Sequence, residues 1–162
     1  MNKSDEEDFR VYVAARMDQW RRTAYLLCRD WHAADDIVSI TVGKVFEKWR
    51  IVSRADNRDA YAQRILTRTW LDERRRPWRR EHAQAELPDG PAAVLEPVVD
   101  RDSLAAALGA LQPRQRAVVV LRYYLDYSIS ETAAVLGIAE GTVKSQTTRG
   151  LETLRAHTSP TD

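Results

Sequence analysis

The sequence predicts an all-α fold of two small helical domains joined by a linker rich in proline and acidic residues, with a helix-turn-helix in the C-terminal domain. Apolar residues recur at helical spacing along most of the 162 residues, only six residues are glycine, and the alternating β-branched runs typical of strands are absent. We expect an N-terminal domain over residues 1–81, a linker over 82–102, a C-terminal domain over 103–157 and a tail over 158–162.

Three helices are predicted in the N-terminal domain, over residues 5–28, 33–49 and 60–76, with a polar connection over 50–59. Each has apolar residues repeated every three to four positions, as on a helix with one buried face. Ser4 and Glu7 have the spacing of a capping box at the start of the first helix. Asp35 and Asp36 would lie in the first turn of the second, where acidic side chains favour the positive end of the helix dipole.

Arginines concentrate in and after the third predicted helix. Arg64, Arg68 and Arg75 share one helical face, and five arginines surround Trp78 within residues 73–81. Arginines interleaved with an aromatic residue suit the phosphates and the stacked, unpaired bases of a single nucleic-acid strand. The same pattern also fits a solvated face that keeps a protein soluble, so the sequence leaves both interpretations open.

The predicted linker is acidic and contains Pro88, Pro91 and Pro97, none of which fits inside a helix. After it, Ser103 is placed to cap a helix over 104–111, and Pro113 suits the first turn of another that runs to about residue 125. Four side chains of that last helix are expected to be buried: Val118, Leu121, Tyr124 and Leu125.

Residues 128–154 have the pattern of two helices joined by a tight turn. Ser128 and Glu131 form a second capping box, and Gly137 stands where a left-handed helix end needs a residue without a Cβ. The second helix starts near residue 140, with Gly150 allowing close approach to a neighbour. The expected buried residues are Ile129, Thr132, Ala133 and Leu136 on the first helix and Val143, Thr147, Leu151 and Leu154 on the second.

The other face of that second helix is polar and basic, and it carries Lys144, Ser145, Gln146, Thr148 and Arg149. A short basic helix held by a compact partner helix is the geometry that enters a DNA major groove. Lysine and arginine reach phosphates and guanine edges there, and glutamine pairs with adenine. An ordinary helical hairpin with a solvated outer face shows the same pattern, although DNA binding is the favoured interpretation.

Composition narrows the remaining possibilities. The net charge of +1 does not favour any particular class of partner. The single cysteine, Cys28, excludes an internal disulfide and suits a reducing compartment, and we expect it to fill a small space in the core. No apolar run is long enough to cross a membrane and the acidic start is unlike a signal peptide, so we expect a cytoplasmic protein. No metal-ligand spacing, phosphate-binding glycine loop or nucleophile motif is present, so we expect no catalytic residue, no metal and no cofactor.

Taken together, these segments resemble the extracytoplasmic-function class of bacterial RNA polymerase sigma factors, within the sigma-70 family. The most specific likeness is LGALQPRQRAVVVLRYYLDYSISETAAVLGIAEGTVKSQTTRGLETLR, which is similar to the family's fourth conserved region. DDIVSITVGKVFEKW resembles the helix with which sigma factors grip the polymerase clamp. NRDAYAQRILTRTWLDERRR resembles the helix that meets the melted promoter strand.

The resemblance implies a transcription initiation factor, not an enzyme, that binds core RNA polymerase and directs it to promoters. It implies a surface toward the clamp formed by Asp35, Asp36 and Ser39. It implies a second surface, toward the melted −10 element, formed by Asn57, Arg64, Arg68 and Arg75. A third surface would face the duplex −35 element and consists of Thr142, Lys144, Ser145, Gln146 and Arg149. An anti-sigma protein is a further partner that the resemblance suggests, and direct membrane contact is not expected.

Three other classes of protein stay open at the level of sequence. One is a self-sufficient DNA-binding regulator, such as a response-regulator output domain, which would share the C-terminal hairpin but would not explain the N-terminal arginine face. The second is an enzyme, which the absence of catalytic motifs disfavours. The third is a helical interaction protein with no nucleic-acid partner. Binding to core polymerase separates the sigma factor from the regulator, and salt-dependent DNA binding separates it from the interaction protein.

Overall fold

A computed structural model describes residues 1–75 and 99–158, and in those residues all regular structure is helical, which confirms the predicted fold class. The elements are α1 (Lys3–Cys28), α2 (Trp31–Glu47), α3 (Trp49–Arg54), α4 (Arg58–Arg75), α5 (Val99–Gly109), α6 (Pro113–Val119), a π-helical turn (Val120–Tyr124), α7 (Ile129–Leu136) and α8 (Glu140–Thr158). We refer to α1–α4 as the N-terminal helices and to α5–α8, with the π-helical turn, as the C-terminal helices.

The start of α1 differs from the prediction, because Asn2 and not Ser4 caps the helix. The Asn2 side chain accepts a hydrogen bond from the Asp5 backbone N–H at 2.8 Å, so Ser4 lies inside the first turn. Asparagine caps helices as well as serine does, and starting earlier adds helical residues at no cost in capping. The helix ends at Cys28, and the next residue, Arg29, has a left-handed backbone with a φ of 62°.

Helix α2 begins at Trp31, two residues before the prediction, because Asp30 caps it. The Asp30 side chain accepts from the His32 N–H at 2.9 Å. The expectation that Asp35 and Asp36 lie in the first turn is therefore wrong, since both fall in the second turn.

The prediction of a polar connection over residues 50–59 is also wrong for its first half, because residues there form the helix α3. Trp49 and Val52 anchor this short helix, with exposed fractions of 2% and 0%. Two apolar anchors are too few to give a periodic pattern, so packing and not local sequence determines α3. Helix α4 then starts at Arg58, with the Asn57 Oδ1 accepting from the Ala60 N–H at 2.9 Å.

The C-terminal helices begin at Val99, so Ser103 lies inside α5 and is not its cap. Pro113 occupies the first turn of α6 as predicted. The helical path does not continue as regular α-helix, because it widens into the π-helical turn and ends before Leu125. Val118 and Leu121 are buried as expected, whereas Leu125 is half-buried and the π-helical turn leaves Tyr124 39% exposed.

The predicted turn between the last two helices is confirmed in its local detail. Ser128 and Glu131 form both hydrogen bonds of the capping box at the start of α7. Gly137 ends the helix in the left-handed region with a φ of 68°. The second helix, α8, starts at Glu140. The arginines around Trp78 beyond residue 75, the prolines of the predicted linker and residues 159–162 of the predicted tail lie outside the described residues.

Two groups of buried apolar side chains form the core. A larger cluster joins α1, α2, α3 and α4 and continues into the C-terminal helices, with Trp20 and Trp70 as its largest fully buried side chains. A smaller cluster of Val118, Ala133 and Val143 holds α6, α7 and α8 together. Cys28 packs against the larger cluster, where its Sγ donates to the Asp30 carbonyl at 3.3 Å, as expected of a core-filling residue.

Replacing Gly150 by valine should destabilise the protein, because a Cβ at this position would lie 2.9 Å from Val119 Cγ2 in the contact between α6 and α8. We expect a loss of about 1–3 kcal/mol of unfolding free energy, typical of overpacked cores. The matched control is Gly141→Val, since a Cβ at Gly141 meets no atom within 4 Å. Chemical denaturation measures both, and equal stabilities of the two variants would contradict the close approach.

Candidate nucleic-acid interface

One face of α8 carries the residues predicted to meet duplex DNA, and we call Thr142, Lys144, Ser145, Gln146 and Arg149 the recognition face. Lys144, Ser145 and Arg149 are exposed, as is the neighbouring Thr148. Thr142 and Gln146 are half-buried at the edge of the face. The structure thus brings two cations and a hydroxyl group to one accessible side of a helix.

The opposite side of α8 fixes the orientation of the recognition face. Val143 is completely buried between α6 and α7, and Gly150 lies against Val119. Val143 follows the start of α8 by less than one turn, so the first turns of the helix are the best anchored. In helix-turn-helix proteins the first turns of the recognition helix are also the part that contacts base edges.

Hydrogen bonds within α8 determine which polar groups of the recognition face remain available to a partner. The Ser145 hydroxyl donates to the Thr142 carbonyl at 3.2 Å, and the Thr148 hydroxyl donates to the Lys144 carbonyl at 3.1 Å. Both hydroxyl oxygens keep lone pairs and can still accept hydrogen bonds. The Gln146 Oε1 is buried without a hydrogen-bond partner, so this amide is less accessible than the pattern of the sequence indicated.

A second cationic surface lies on α4. Arg64 and Arg68 are exposed on its outer side, one helical turn apart. Arg75 is the last residue of α4, and its side chain lies outside the described part. Asn57 lies at the opposite end of the helix, where its carboxamide oxygen caps α4.

Beside Arg64 and Arg68, helices α2 and α4 form a cleft of about 270 Å³. Its lining contains four cations and one acid, namely Lys44, Lys48, Arg64, Arg68 and Asp72, together with Tyr61 and Ile65. The Lys44 ammonium donates to the Thr69 hydroxyl at 3.2 Å, which holds its side chain across the two helices. The sequence analysis did not place Lys44, Lys48 or Tyr61 in a site. Their signal was the spacing of Lys44 and Lys48, four residues apart in the last turn of α2 and at its C-cap.

A cluster around Asp59 fixes the start of α4 on α1. Asp59 accepts hydrogen bonds from the Tyr12 hydroxyl at 2.8 Å and from the Arg16 guanidinium, which lies 4.2 Å from the centre of the Tyr12 ring. Burial disfavours the charged carboxylate of Asp59, but the hydrogen bonds from Arg16 and Tyr12 outweigh it and lower its pKa. Burial, helped by the bond to Asp59, raises the pKa of Tyr12. The arginine-bearing helix is thus held by a charged contact at its first turn.

The outer face of α2 carries the three residues predicted to meet the polymerase clamp. Asp35, Asp36 and Ser39 are all exposed there. Asp35 forms an ion pair with Arg21 of α1, with 2.7 Å between the Arg21 Nε and the carboxylate. The Arg21 guanidinium lies 4.5 Å from the centre of the Trp31 ring, which in turn stacks on Tyr25 with centroids 4.0 Å apart. The stacked rings of Trp31 and Tyr25 therefore support Arg21, and Arg21 in turn positions Asp35.

Two kinds of feature, a metal-binding cluster and a membrane-spanning helix, are absent from the described residues. In the ranges 1–75 and 99–158, no cluster of histidine, cysteine or acidic residues could hold a metal ion. None of the helices there is both long and apolar enough to cross a membrane. The exposed groups on α4 and α8 are instead cations and hydrogen-bonding side chains.

Comparison with known proteins identifies the family. The model of sigma-70 region 4 matches residues 101–154, which include most of the C-terminal helices. The RNA polymerase sigma-E factor of Streptomyces coelicolor is 35% identical over 149 residues, which cover 91% of this chain and 84% of that protein. The chain belongs to the extracytoplasmic-function class of RNA polymerase sigma factors. It directs RNA polymerase to promoters, its region 4 binds the −35 element, and like other sigma factors it is not an enzyme.

Other relatives agree with this assignment. The ECF RNA polymerase sigma factor SigE of Mycolicibacterium smegmatis is 32% identical over 152 residues, covering 88% of this chain and 58% of that protein. The fold matches that of the sigma factor RpoE in its co-crystal structure with the anti-sigma factor NepR from Bartonella quintana. The TM-score is 0.79 at 23% identity, over 93% of this chain and 96% of that one. The sigma factor fold therefore extends over both the N-terminal and the C-terminal helices.

Replacing Tyr12 by phenylalanine should cost about 0.5–1 kcal/mol of unfolding free energy at neutral pH, because Asp59 loses a hydrogen bond while remaining half exposed to solvent. The folded-state pKa of Asp59 lies below the ordinary value of 3.8 for this side chain. The stabilisation is therefore present above that value and is lost as the pH falls through the folded-state pKa.

Urea denaturation of both proteins at pH 7 and near pH 3 measures the effect, and the difference between them should shrink at the lower pH. Tyr123→Phe is the control, since Tyr123 is 54% exposed. A difference that stays constant with pH would argue against a contribution from the ionised carboxylate.

Proposed function

We propose that the recognition face enters the major groove of the −35 element. Lys144 and Arg149 would contact phosphates or guanine edges, and Thr142, Ser145 and Gln146 would supply shorter polar contacts. The support is that α8 is anchored by Val143 and Gly150 on its inner side and presents the two cations on its exposed side. The observation that carries the proposal is the position of this exposed face within the matched region 4.

We further propose that the melted −10 strand lies along α4 and across the cleft between α2 and α4. Taking a base out of the stack costs a few kcal/mol, which the protein must offset by contacts to the unpaired strand. Arg64, Arg68 and Arg75 would bind its phosphates, with Asn57 at the start of the helix. The cleft supports this, because it places Lys44 and Lys48 beside Tyr61, and aromatic rings next to cations bind single strands by stacking and charge.

For the polymerase, we propose that the clamp docks on the outer face of α2. Asp35, Asp36 and Ser39 are exposed there, and Asp35 is held in place by Arg21. Carboxylates on a rigid helix suit a basic partner surface, and such charges mainly speed the encounter and fix its register. The contact fixes the two DNA-binding surfaces relative to the rest of the transcription machinery.

The division into an N-terminal domain over residues 1–81 and a C-terminal domain over 103–157 remains part of this proposal, as does a cytoplasmic location. We also propose an anti-sigma protein as a partner. Support comes from the similarity of the fold to RpoE, which was crystallised with the anti-sigma factor NepR, and to CnrH, whose structure includes the cytosolic domain of CnrY. For CnrH the TM-score is 0.65 at 22% identity, over 93% of this chain and 87% of that one.

Run-off transcription with purified core polymerase on a library of promoters tests the whole proposal. We expect transcripts from templates that share one upstream and one downstream element. Binding to polymerase without any transcript would overturn the assignment of the promoter-melting surface.

Replacing Arg149 by alanine should weaken binding to the −35 element without unfolding α8, since Arg149 is exposed. If the guanidinium pairs with a base edge, the loss should be about 1–3 kcal/mol and confined to one base pair of the site. Titration of holoenzyme onto duplexes carrying each single base change measures this. Arg10→Ala, at an exposed position of α1, is the control for loss of charge. An equal loss on every duplex would make Arg149 a phosphate contact.

Replacing Arg64 by alanine should reduce promoter opening more than closed-complex formation, because Arg64 lines the cleft proposed to hold the unpaired strand. Permanganate reactivity of the melted thymines reports opening, and a filter-binding assay reports total complex. We expect the reactivity to fall several-fold at equal occupancy, as for loss of one exposed charge contact worth about 1 kcal/mol. Arg54→Ala, exposed at the end of α3, should leave both signals unchanged. Wild-type reactivity in the Arg64 variant would remove this residue from the strand-binding surface.

A further inference from the structure

Short hydroxyl side chains occupy the middle of the exposed side of α8, and cations occupy its two edges. Within residues 144–149, at about 100° per residue, the exposed side chains follow one another across about 140° of the helix surface in the order Lys144, Thr148, Ser145 and Arg149. We call Ser145 and Thr148 the hydroxyl pair. Thr148 is not part of the recognition face defined above, although it lies nearer the middle of this side than either cation.

This arrangement matches the two parts of a DNA major groove. The groove is roughly 12 Å wide and admits one α-helix, so the middle of the helix meets base edges and its sides meet the sugar–phosphate strands. Lys144 and Arg149 are long enough to reach the phosphates from the two edges. The hydroxyl pair is too short to do so from the middle, which leaves base edges within its range.

The residues around the hydroxyl pair favour a close approach to the groove floor. Gly141 lies on the same strip one turn before Ser145, and it has no side chain that would hold the helix away from the bases. Val143 and Gly150 fix the inner side of α8 on either side of Thr148. Glu152 follows on the strip one turn after Thr148, and its exposed carboxylate repels phosphates. The part of the strip that suits DNA therefore ends at Thr148.

The proton of the Thr148 hydroxyl already has an acceptor, because it is donated to the Lys144 carbonyl at 3.1 Å. Turning the proton toward DNA would break this bond, so the hydroxyl oxygen meets a base as an acceptor. In the major groove only two base groups donate hydrogen bonds, the N6 amino group of adenine and the N4 amino group of cytosine. The exposed oxygen therefore selects adenine or cytosine.

The methyl group of Thr148 separates these two bases. An A·T pair presents both the adenine amino group and the thymine C5-methyl group in the major groove, whereas a C·G pair presents an amino group without a methyl. Threonine carries an acceptor and a methyl group on one carbon, and the bond to the Lys144 carbonyl fixes its rotamer. Ser145 offers an acceptor alone, so it cannot make this distinction.

The glutamine that would ordinarily read adenine is turned away from the groove. Glutamine pairs with adenine through its oxygen and its nitrogen together. The Gln146 Oε1 is buried without a hydrogen-bond partner, on a half-buried residue at the edge of the recognition face. In this position the amide cannot make the paired contact, which leaves the acceptor role to the hydroxyl pair.

We propose that Thr148 is a specificity-determining residue that selects one A·T pair of the −35 element. Its hydroxyl accepts a hydrogen bond from the adenine N6 amino group, and its methyl group packs on the thymine C5-methyl group. The proposal rests on the proposed entry of the recognition face into the major groove. Lys144 and Arg149 then hold the helix from its two edges, and Thr148 discriminates between base pairs.

Two changes in the protein and two in the DNA separate the parts of this contact. Thr148→Val keeps the shape and a methyl group but removes the acceptor, whereas Thr148→Ser keeps the acceptor and removes the methyl group. Unsubstituted purine in place of adenine removes the N6 amino group, and uracil in place of thymine removes the C5-methyl group. Holoenzyme is titrated onto promoter duplexes that carry one such base change at each A·T pair of the −35 element in turn.

At one A·T pair, we expect purine to weaken wild-type binding about three- to tenfold and uracil about fourfold. Thr148→Val should bind the unmodified duplex about three- to tenfold more weakly, ignore purine at that pair and remain sensitive to uracil. Thr148→Ser should show the reverse pattern. The matched control is Thr147→Val, which should behave as wild type because the half-buried Thr147 hydroxyl donates to the Val143 carbonyl at 2.7 Å, away from the exposed side.

Circular dichroism checks that each variant keeps its helices, and the Thr148→Ser pattern decides if Thr148→Val loses them. An effect of purine that persists in Thr148→Val, an equal loss on every duplex, or no A·T pair that responds in the wild type would each overturn the role of Thr148. Failure of wild-type holoenzyme to distinguish the −35 element from an unrelated duplex would instead overturn the proposed function, because that comparison involves no variant of Thr148.

Discussion

The burial of one side of α4 is the constraint on which the rest of the structure depends. Ala62 and Leu66 are completely buried on that side and Trp70 nearly so. Because these side chains are fixed, the opposite side must present Arg64 and Arg68 to solvent at a defined angle. The bond network at Asp59 prevents the helix from sliding along α1. A rigid cationic helix holds a flexible strand at lower entropic cost than a mobile one would.

Sequence predicted those features that local chemistry determines. The capping box at Ser128 and the left-handed Gly137 need only a few neighbouring residues, and both were located correctly. Periodicity likewise identified the exposed side of α8. It could not choose between Asn2 and Ser4 as caps, since both residue types serve equally well. Helix α3 and the π-helical turn were missed because tertiary packing, and not a repeated pattern, determines them.

The cleft between α2 and α4, and the hydrogen bond that the buried Arg116 donates to the Leu27 carbonyl, could not be predicted without the fold. Lys44 lies twenty residues before Arg64, and Leu27 lies far from Arg116 in the chain, so no local pattern connects either pair. Their roles depend on which helices are neighbours. The role of a polar residue in a helix therefore cannot be assigned from sequence alone. An arginine in the same kind of pattern can face solvent, DNA or a carbonyl group in the core.

The position of Cys28 has a consequence for how this sigma factor receives signals. Burial raises the pKa of its thiol to about 12, which disfavours the thiolate that reacts with peroxides and disulfides. The only cysteine of the chain is thus held in its less reactive thiol form at the end of α1. Its environment therefore favours a packing role over that of an oxidation sensor.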